Sequence, residues 1–396
     1  MNKQTVSISI GPGQHSSYII DLLKKQYELK QSFHIYPEFL IKNYEKNVES
    51  SVKKKQFYRI MQYATWALWT RLPYLKFTQH PRALFLYLAD RIISKNLTEC
   101  DLFIGWPQIS LQSIRAMKSK GSRVMLEHQM SHIQKWTQII DEEYDIWRKF
   151  TKGFYSRFSK GIIEQMIREY EEADFINVLS TYAKKSFIEN GVTSDKIIVT
   201  PFGVDTERFH PKSLFKKQNE KIRILYVGRI ELLKGVQYLL EAFIKLKRRD
   251  IELYLVGPIL PEMMPLLERY DDQRIKPLGS ASHDELLFYY QNCDIFVFPS
   301  INDAFGLVVL EAMACGLPVI TTENSCAYDV VTDGINGFVI PIRNPEAIRE
   351  KLDFLLECEE NRTRMAAEAR KTVEQKFSLL EYEKRYLIAC EKAFGR

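Results

Sequence analysis

The chain has 396 residues, 45% of them apolar and 27% charged, with 56 Lys plus Arg against 50 Asp plus Glu for a formal charge of +6. Such a composition excludes a disordered, collagen-like or disulfide-scaffold protein, and the length exceeds what one hydrophobic core comfortably supports. No apolar run of about 18 residues occurs and no hydrophobic stretch follows a basic start, so neither a membrane span nor a secretory leader is expected.

In chain order, strand-like apolar runs alternate with amphipathic helical patterns in two series. The first comprises Thr5 to Ile10, Asp101 to Ile104, Arg123 to Glu127, Phe175 to Leu179 and Lys196 to Val199. The second comprises Ile222 to Val227, Ile251 to Val256, Ile275 to Leu278, Ile295 to Phe298 and Pro318 to Thr321. Such alternation predicts an α/β protein with two parallel sheets, each covered on both faces. Pro201, Gly203 and Pro211 interrupt the regularity, which places a domain boundary between residues 1–205 and 206–376.

Within the first series, Gly11 and Gly13 follow the opening strand and permit close backbone approach to a ligand, or simply form a turn. A dinucleotide fingerprint would need a third glycine, and it is missing. Residues 51–100 hold nine basic and two acidic residues, including Lys53, Lys54 and Lys55. Tyr63, Trp66, Trp69 and Tyr74 are interleaved there with Arg59, Arg71 and Lys76. Basic plus aromatic character suggests a helix on an anionic membrane face, near a lipid-linked or polyanionic acceptor; a core helix with solvated lysines fits equally. The whole stretch 1–205 carries a balance of +8, against −2 for the remainder. No recognised nucleic-acid module accompanies that charge.

His128 directly follows the strand ending at Glu127, and His132 comes four residues later. Either could be a site residue or a satisfied structural histidine, and the choice between them is open. The spacing lacks a His-Glu-x-x-His pattern and a third ligand, so no metal is expected. The six cysteines show no Cys-x-x-Cys pair or zinc-type spacing, which suits reduced, buried thiols in a cytoplasmic protein.

Two stretches of the second series carry chemistry. In Ile222 to Gly235 a buried-type strand stops at Gly228, and Arg229 and Lys234 follow at its carboxyl end, where open parallel sheets bind ligands. An Arg fork grips phosphate oxygens with directed hydrogen bonds, and Lys adds a mobile point charge that can steady a departing diphosphate. In Pro299 to Gly316 an apolar strand ends in a polar loop, Gly306 opens an amphipathic helix, and Asp303 and Glu311 stand eight residues apart across that join. A helix opening offers unpaired N–H groups and partial positive charge to phosphate, while flanking carboxylates accept from sugar hydroxyls.

Together with Pro-Phe-Gly-Val-Asp at 201–205 and Gly-Leu-Pro-Val-Ile at 316–320, these stretches resemble retaining glycosyltransferases of family 4. The similarity is strong from about 173 to 341 and traceable through Ser131-His132-Ile133, Glu142-Glu143-Tyr144 and Gly11-Pro12-Gly13. The resemblance implies the GT-B fold, two Rossmann-like domains with parallel sheets facing a cleft, with the helical pattern of 377–396 crossing back to the first domain. It implies that Arg229 and Lys234 bind the donor diphosphate, that Glu311 takes the ribose hydroxyls, and that Phe305, Gly306 and Leu307 set backbone groups against sugar and phosphate. An amino-domain histidine, His128 or His132, would lie near the donor sugar. One departure stands out: the family motif is usually Glu-x7-Glu, and the first acid here is Asp303.

The reaction so implied moves a glycosyl unit, with retention, from a nucleotide sugar to a hydroxyl acceptor such as a glycan or lipid-linked sugar. The nucleotide sugar is a co-substrate, and no separate cofactor is expected. Two other readings stay open: a sugar-nucleotide epimerase or hydrolase of related fold, and a non-catalytic partner subunit.

Overall fold

The computed structural model describes residues 3–10, 14–34, 80–150, 158–212 and 221–395. Gly11, Gly13 and the basic aromatic stretch from Lys53 to Phe77 lie outside the described residues.

Two six-stranded sheets organise the chain, and every strand pairing within them is parallel. The first has the order β2-β1-β3-β4-β5-β6. Its strands are β1 Thr5–Ile10, β2 Glu28–His34, β3 Leu102–Gly105, β4 Arg123–His128, β5 Phe175–Val178 and β6 Ile197–Val199. The second has the order β12-β11-β10-β7-β8-β9. It is built from β7 Ile222–Val227, β8 Ile251–Val256, β9 Ile275–Gly279, β10 Ile295–Phe298, β11 Val319–Thr322 and β12 Gly337–Ile340. Strands β3 and β10 are buried along their whole length, as interior strands of helix-covered parallel sheets must be. The strands that the sequence reading missed, β2 and β12, are both sheet edges.

The order of the second sheet decides where a ligand can sit. The chain lays β7, β8 and β9 outward in one direction, then returns to place β10 on the other side of β7. The loops leaving the carboxyl ends of β7 and β10 therefore diverge and leave a crevice at this topological switch.

After the helices Pro345–Glu357 and Glu359–Lys376, the chain crosses back to the first lobe. The Val204 N–H donates to the Phe377 carbonyl at 2.8 Å, and the final helix, Leu379–Phe394, then lies along the first sheet. Hydroxyls fasten it: Tyr18 donates to Glu383 at 2.8 Å, Tyr27 to Glu391 at 2.9 Å, and Tyr386 to Glu127 at 3.2 Å.

Glu127 is a buried acid of β4 that also accepts from Asn177 Nδ2, at 3.1 Å to each carboxylate oxygen. Burial outweighs these bonds and pushes its carboxyl up to about 7. A group whose folded pKa lies above its unfolded value stabilises the fold at low pH, and that support is lost as pH rises from the unfolded value through 7. The loss amounts to roughly 3 kcal/mol by linkage. Glu127→Gln keeps a neutral group of the same shape. Denaturant unfolding at pH 5 and pH 8 should show the variant gaining about 1–3 kcal/mol on the wild type between the two; parallel behaviour would refute the account.

Candidate functional site

The β7 loop begins with Gly228 and Arg229, passes through the 3-10 turn Leu232–Lys234, and turns at Gly235 into the helix Val236–Ile244. Gly235 has φ +68°, and a Cβ there would lie 1.9 Å from the Pro299 carbonyl oxygen of the β10 loop. Only glycine lets the two loops touch. The contact is reinforced where the Ile301 N–H donates to the Leu233 carbonyl at 3.0 Å.

That contact brings Lys234 and Asp303 together. Lys234 Nζ lies 2.5 Å from Asp303 Oδ2, with both side chains more than four-fifths buried. The other carboxylate oxygen, Oδ1, accepts from the Phe305 N–H at 3.0 Å, so Asp303 both holds the cation and shapes its own loop. Phe298 stands beside the ammonium, its ring centroid 5.9 Å from Nζ. Arg229 is different: its side chain is 59% exposed, and its guanidinium pairs with Glu231 at 2.9 Å. A mostly buried Lys beside an exposed Arg fork offers two cations in different settings to an anion in the crevice.

The β10 loop closes at Gly306, which caps the helix Leu307–Ala314 with φ +82°. A Cβ there would meet Phe298 Cε1 at 2.7 Å, so both backbone conformation and packing require glycine. No side chain caps this helix, which leaves its opening turn facing the loop that carries Asp303. Phe305 is buried, its ring 5.5 Å from that of Phe202, and Leu307 is half-buried at the helix start. Farther along, Glu311 Oε2 accepts from the buried Tyr290 hydroxyl at 2.8 Å. Burial pushes the Glu311 carboxyl up, against the Tyr290 hydrogen bond and the nearby Arg208 charge.

The two histidines are not part of this cluster. His128 is fully buried, with Nδ1 2.9 Å from the Met130 carbonyl oxygen and Nε2 2.8 Å from the Tyr170 hydroxyl. Its ring meets Phe187 and Tyr170 edge-on, and burial pushes its pKa down to about 3. His132 caps the helix Ile133–Trp147, its Nδ1 accepting from the Gln134 N–H at 3.3 Å, and burial lowers its pKa to about 4. These partners all belong to the first lobe, and the geometry makes His128 a satisfied core histidine and His132 a helix cap. Among the described residues, no group of three or more His, Cys, Asp or Glu stands where it could hold a metal ion.

The first lobe reaches the β10 loop by another route, which no motif signalled. At the start of the helix Thr181–Glu189, the Ser180 hydroxyl donates to the Ala304 carbonyl at 2.5 Å. Two residues on, the Tyr182 hydroxyl donates to Asn302 Oδ1 at 2.9 Å, while Thr181 donates through N and Oγ1 to Asp329. The residues flanking Asp303 are thus clamped from across the lobe boundary.

Comparison with known proteins places this arrangement. Residues 206–372 match the family model described as glycosyl transferases group 1. The chain is 30% identical over 246 residues to the Staphylococcus aureus capsular polysaccharide biosynthesis glycosyltransferase CapM, spanning 57% of this chain and 63% of that one. A Methanocaldococcus jannaschii protein named an uncharacterized glycosyltransferase is 29% identical over 243 residues, covering 57% of this chain and 62% of its own. The chain thus spans less than two thirds of the length of these curated relatives. Among solved structures, Anabaena HepE in complex with UDP and glucose superposes over 98% of this chain and 99% of its own, with a TM-score of 0.68 at 14% identity. The architecture is therefore the two-lobed GT-B fold, and the stretch that matches the glycosyl transferases group 1 model, residues 206–372, lies in its second lobe.

Proposed function

We propose that this chain is a retaining, metal-independent glycosyltransferase that moves a sugar from a nucleotide-sugar donor to a hydroxyl acceptor in the synthesis of a polysaccharide or other cell-surface glycan. The observation that carries this reading is the Lys234–Asp303 pair, held at the switch point of the second sheet beside the uncapped helix at Gly306. The name of CapM and the UDP and glucose bound by HepE support the donor and product classes.

In this reading the lobe of residues 206–376 takes the donor, and the lobe of 1–205 takes the acceptor. Arg229 and Lys234 bind the diphosphate, Asp303 and the Phe305–Leu307 backbone orient the sugar, and Glu311 accepts from the ribose. The bond from the anomeric carbon to phosphate oxygen breaks while the acceptor oxygen bonds to that carbon on the same face. The acceptor proton passes to the departing phosphate. No side-chain nucleophile is needed; the protein supplies orientation and stabilises the charge left on the diphosphate. His128 and His132 have no direct role in this scheme. The shorter Asp303 is the residue through which sugar preference would differ from that of a chain with Glu in its place.

Lys234→Ala should lower kcat by about 100- to 1000-fold, as loss of a leaving-group cation does, with a smaller change in donor KM. Glu311→Ala should instead raise donor KM by about 10-fold or more with the larger part of kcat retained. Steady-state kinetics with the best donor of a nucleotide-sugar panel measures both, and NMR of the product reads the anomeric configuration. Wild-type constants in both variants would sink the assignment, and free sugar formed without acceptor would favour the hydrolase reading.

We also propose peripheral contact with an anionic membrane, on the strength of the basic aromatic composition of residues 51–100. Among the described residues no helix is long and apolar enough to cross a membrane. Flotation with phosphatidylglycerol vesicles should show binding that weakens with salt; no binding at low salt would remove the idea.

A further inference from the structure

Among the described residues, one acid of the first lobe takes its hydrogen bonds from donors in the second. Glu143, on the helix Ile133–Trp147, is fully buried. Its Oε1 accepts from Gln237 Nε2 at 2.7 Å and from the Tyr238 hydroxyl at 2.9 Å, and its Oε2 accepts from Arg343 Nε at 2.7 Å. Arg343 adopts φ +58°, unusual for a side chain of its size, and its other arm reaches Glu142 at 3.0 Å.

The chain of bonds continues toward the site. The same Gln237 Nε2 donates its second proton to the Leu232 carbonyl at 2.9 Å. Leu232 opens the 3-10 turn whose last residue is Lys234. With both protons of its amide aimed at these two acceptors, Gln237 leaves its own Oε1 buried and unpartnered. That is a costly arrangement, and flipping the amide would set an oxygen against two other oxygens, so the link to Glu143 and Leu232 dictates the orientation.

We propose that Glu143 is a positioning residue for Lys234. Across the lobe boundary it holds Gln237, Gln237 holds the turn, and the turn aims the ammonium at the donor diphosphate; the inference rests on the diphosphate role proposed above. The phosphate grip of one lobe is thereby set by how the other lobe is seated on it, and a displaced first lobe leaves Lys234 on a loosened turn.

The test uses the full chain and titration calorimetry with the diphosphate and monophosphate of one nucleoside, uridine first, then adenosine and guanosine. The wild type should prefer the diphosphate, and Lys234→Ala should abolish most of that preference. Gln237→Leu fills the same volume without the bridge, and Glu143→Ala removes the anchor. Each should reduce the diphosphate-to-monophosphate affinity ratio by about 3- to 10-fold and leave monophosphate affinity unchanged. Because they act through one chain of contacts, the double variant should be no worse than the worse single one. Glu142→Gln, whose carboxylate meets Gln138 and the outer arm of Arg343 but not Gln237, should keep the wild-type ratio. An unchanged ratio in Gln237→Leu, or an equal fall for both nucleotides, overturns the inference while a lost ratio in Lys234→Ala upholds the diphosphate reading. A wild-type ratio in Lys234→Ala overturns the diphosphate reading and the inference with it. If Glu143→Ala does not fold, Gln237→Leu decides alone.

Discussion

The candidate site depends on a main-chain contact between two loops that are distant in sequence. β7 and β10 are paired through Ile224–Ile295 and Leu225–Phe296, so their carboxyl ends emerge side by side. Gly235 then lies directly against the Pro299 carbonyl, and Leu233 accepts from Ile301. Main-chain contacts of this kind tolerate almost no sliding, because a shift of a fraction of an ångström breaks a hydrogen bond or creates a clash. The Lys234–Asp303 pair is a consequence of that fit. Its geometry is set by the sheet before either side chain contributes energy, and this is how an ion pair can be kept mostly out of water without a floppy, costly search for its partner.

The same molecule uses carboxylates in a second way, as scaffold. Glu169 accepts from the backbone N–H groups of Gln108 and Ser110, and Asp90 from those of Gln112 and Ser113. Burial pushes these acids up to about 8 and about 6, and together they hold the loop after β3, including Gln108 at φ +76°. The contrast with Asp303 lies in the partner. Glu169 and Asp90 bond to main-chain donors and fix the path of the chain, whereas Asp303 gives one oxygen to the Phe305 N–H and the other to a lysine ammonium at a crevice, a charge that a ligand can compete for.

How much of this was legible in the sequence follows from which physical signals are local. Strands β3 and β10 are apolar and buried on both faces because helices cover both, β4, β7 and β8 are buried over most of their length, and such runs are visible directly. The missed β2 and β12 are edges: in β2, Glu28 and Lys30 are exposed, so its run reads as polar, and β12 is only four residues long. Residues Arg229, Lys234, Asp303, Gly306 and Glu311 were legible as types at fixed spacing around two strand ends. The sequence left the roles of His128 and His132 open because a strand-end position says nothing about which way a ring packs; in the structure both pack against Tyr170 and Phe187. Ser180, Tyr182 and Tyr290 reach the site loops through tertiary contacts alone, and no pattern within their own segments marks them.

The crossing of the Leu379–Phe394 helix sets an order of events during synthesis. Tyr18, Tyr27 and Glu127 of the first lobe find their partners on that helix, so the earlier-made lobe keeps part of its surface uncovered until residues 379–394 have followed. At about 5–20 residues per second the wait between β6 and the helix is roughly ten to forty seconds. The intervening lobe has no such dependence and can mature while the earlier one is still open. The nascent first lobe is therefore the half exposed to chaperones and to aggregation, although it is the half synthesised first.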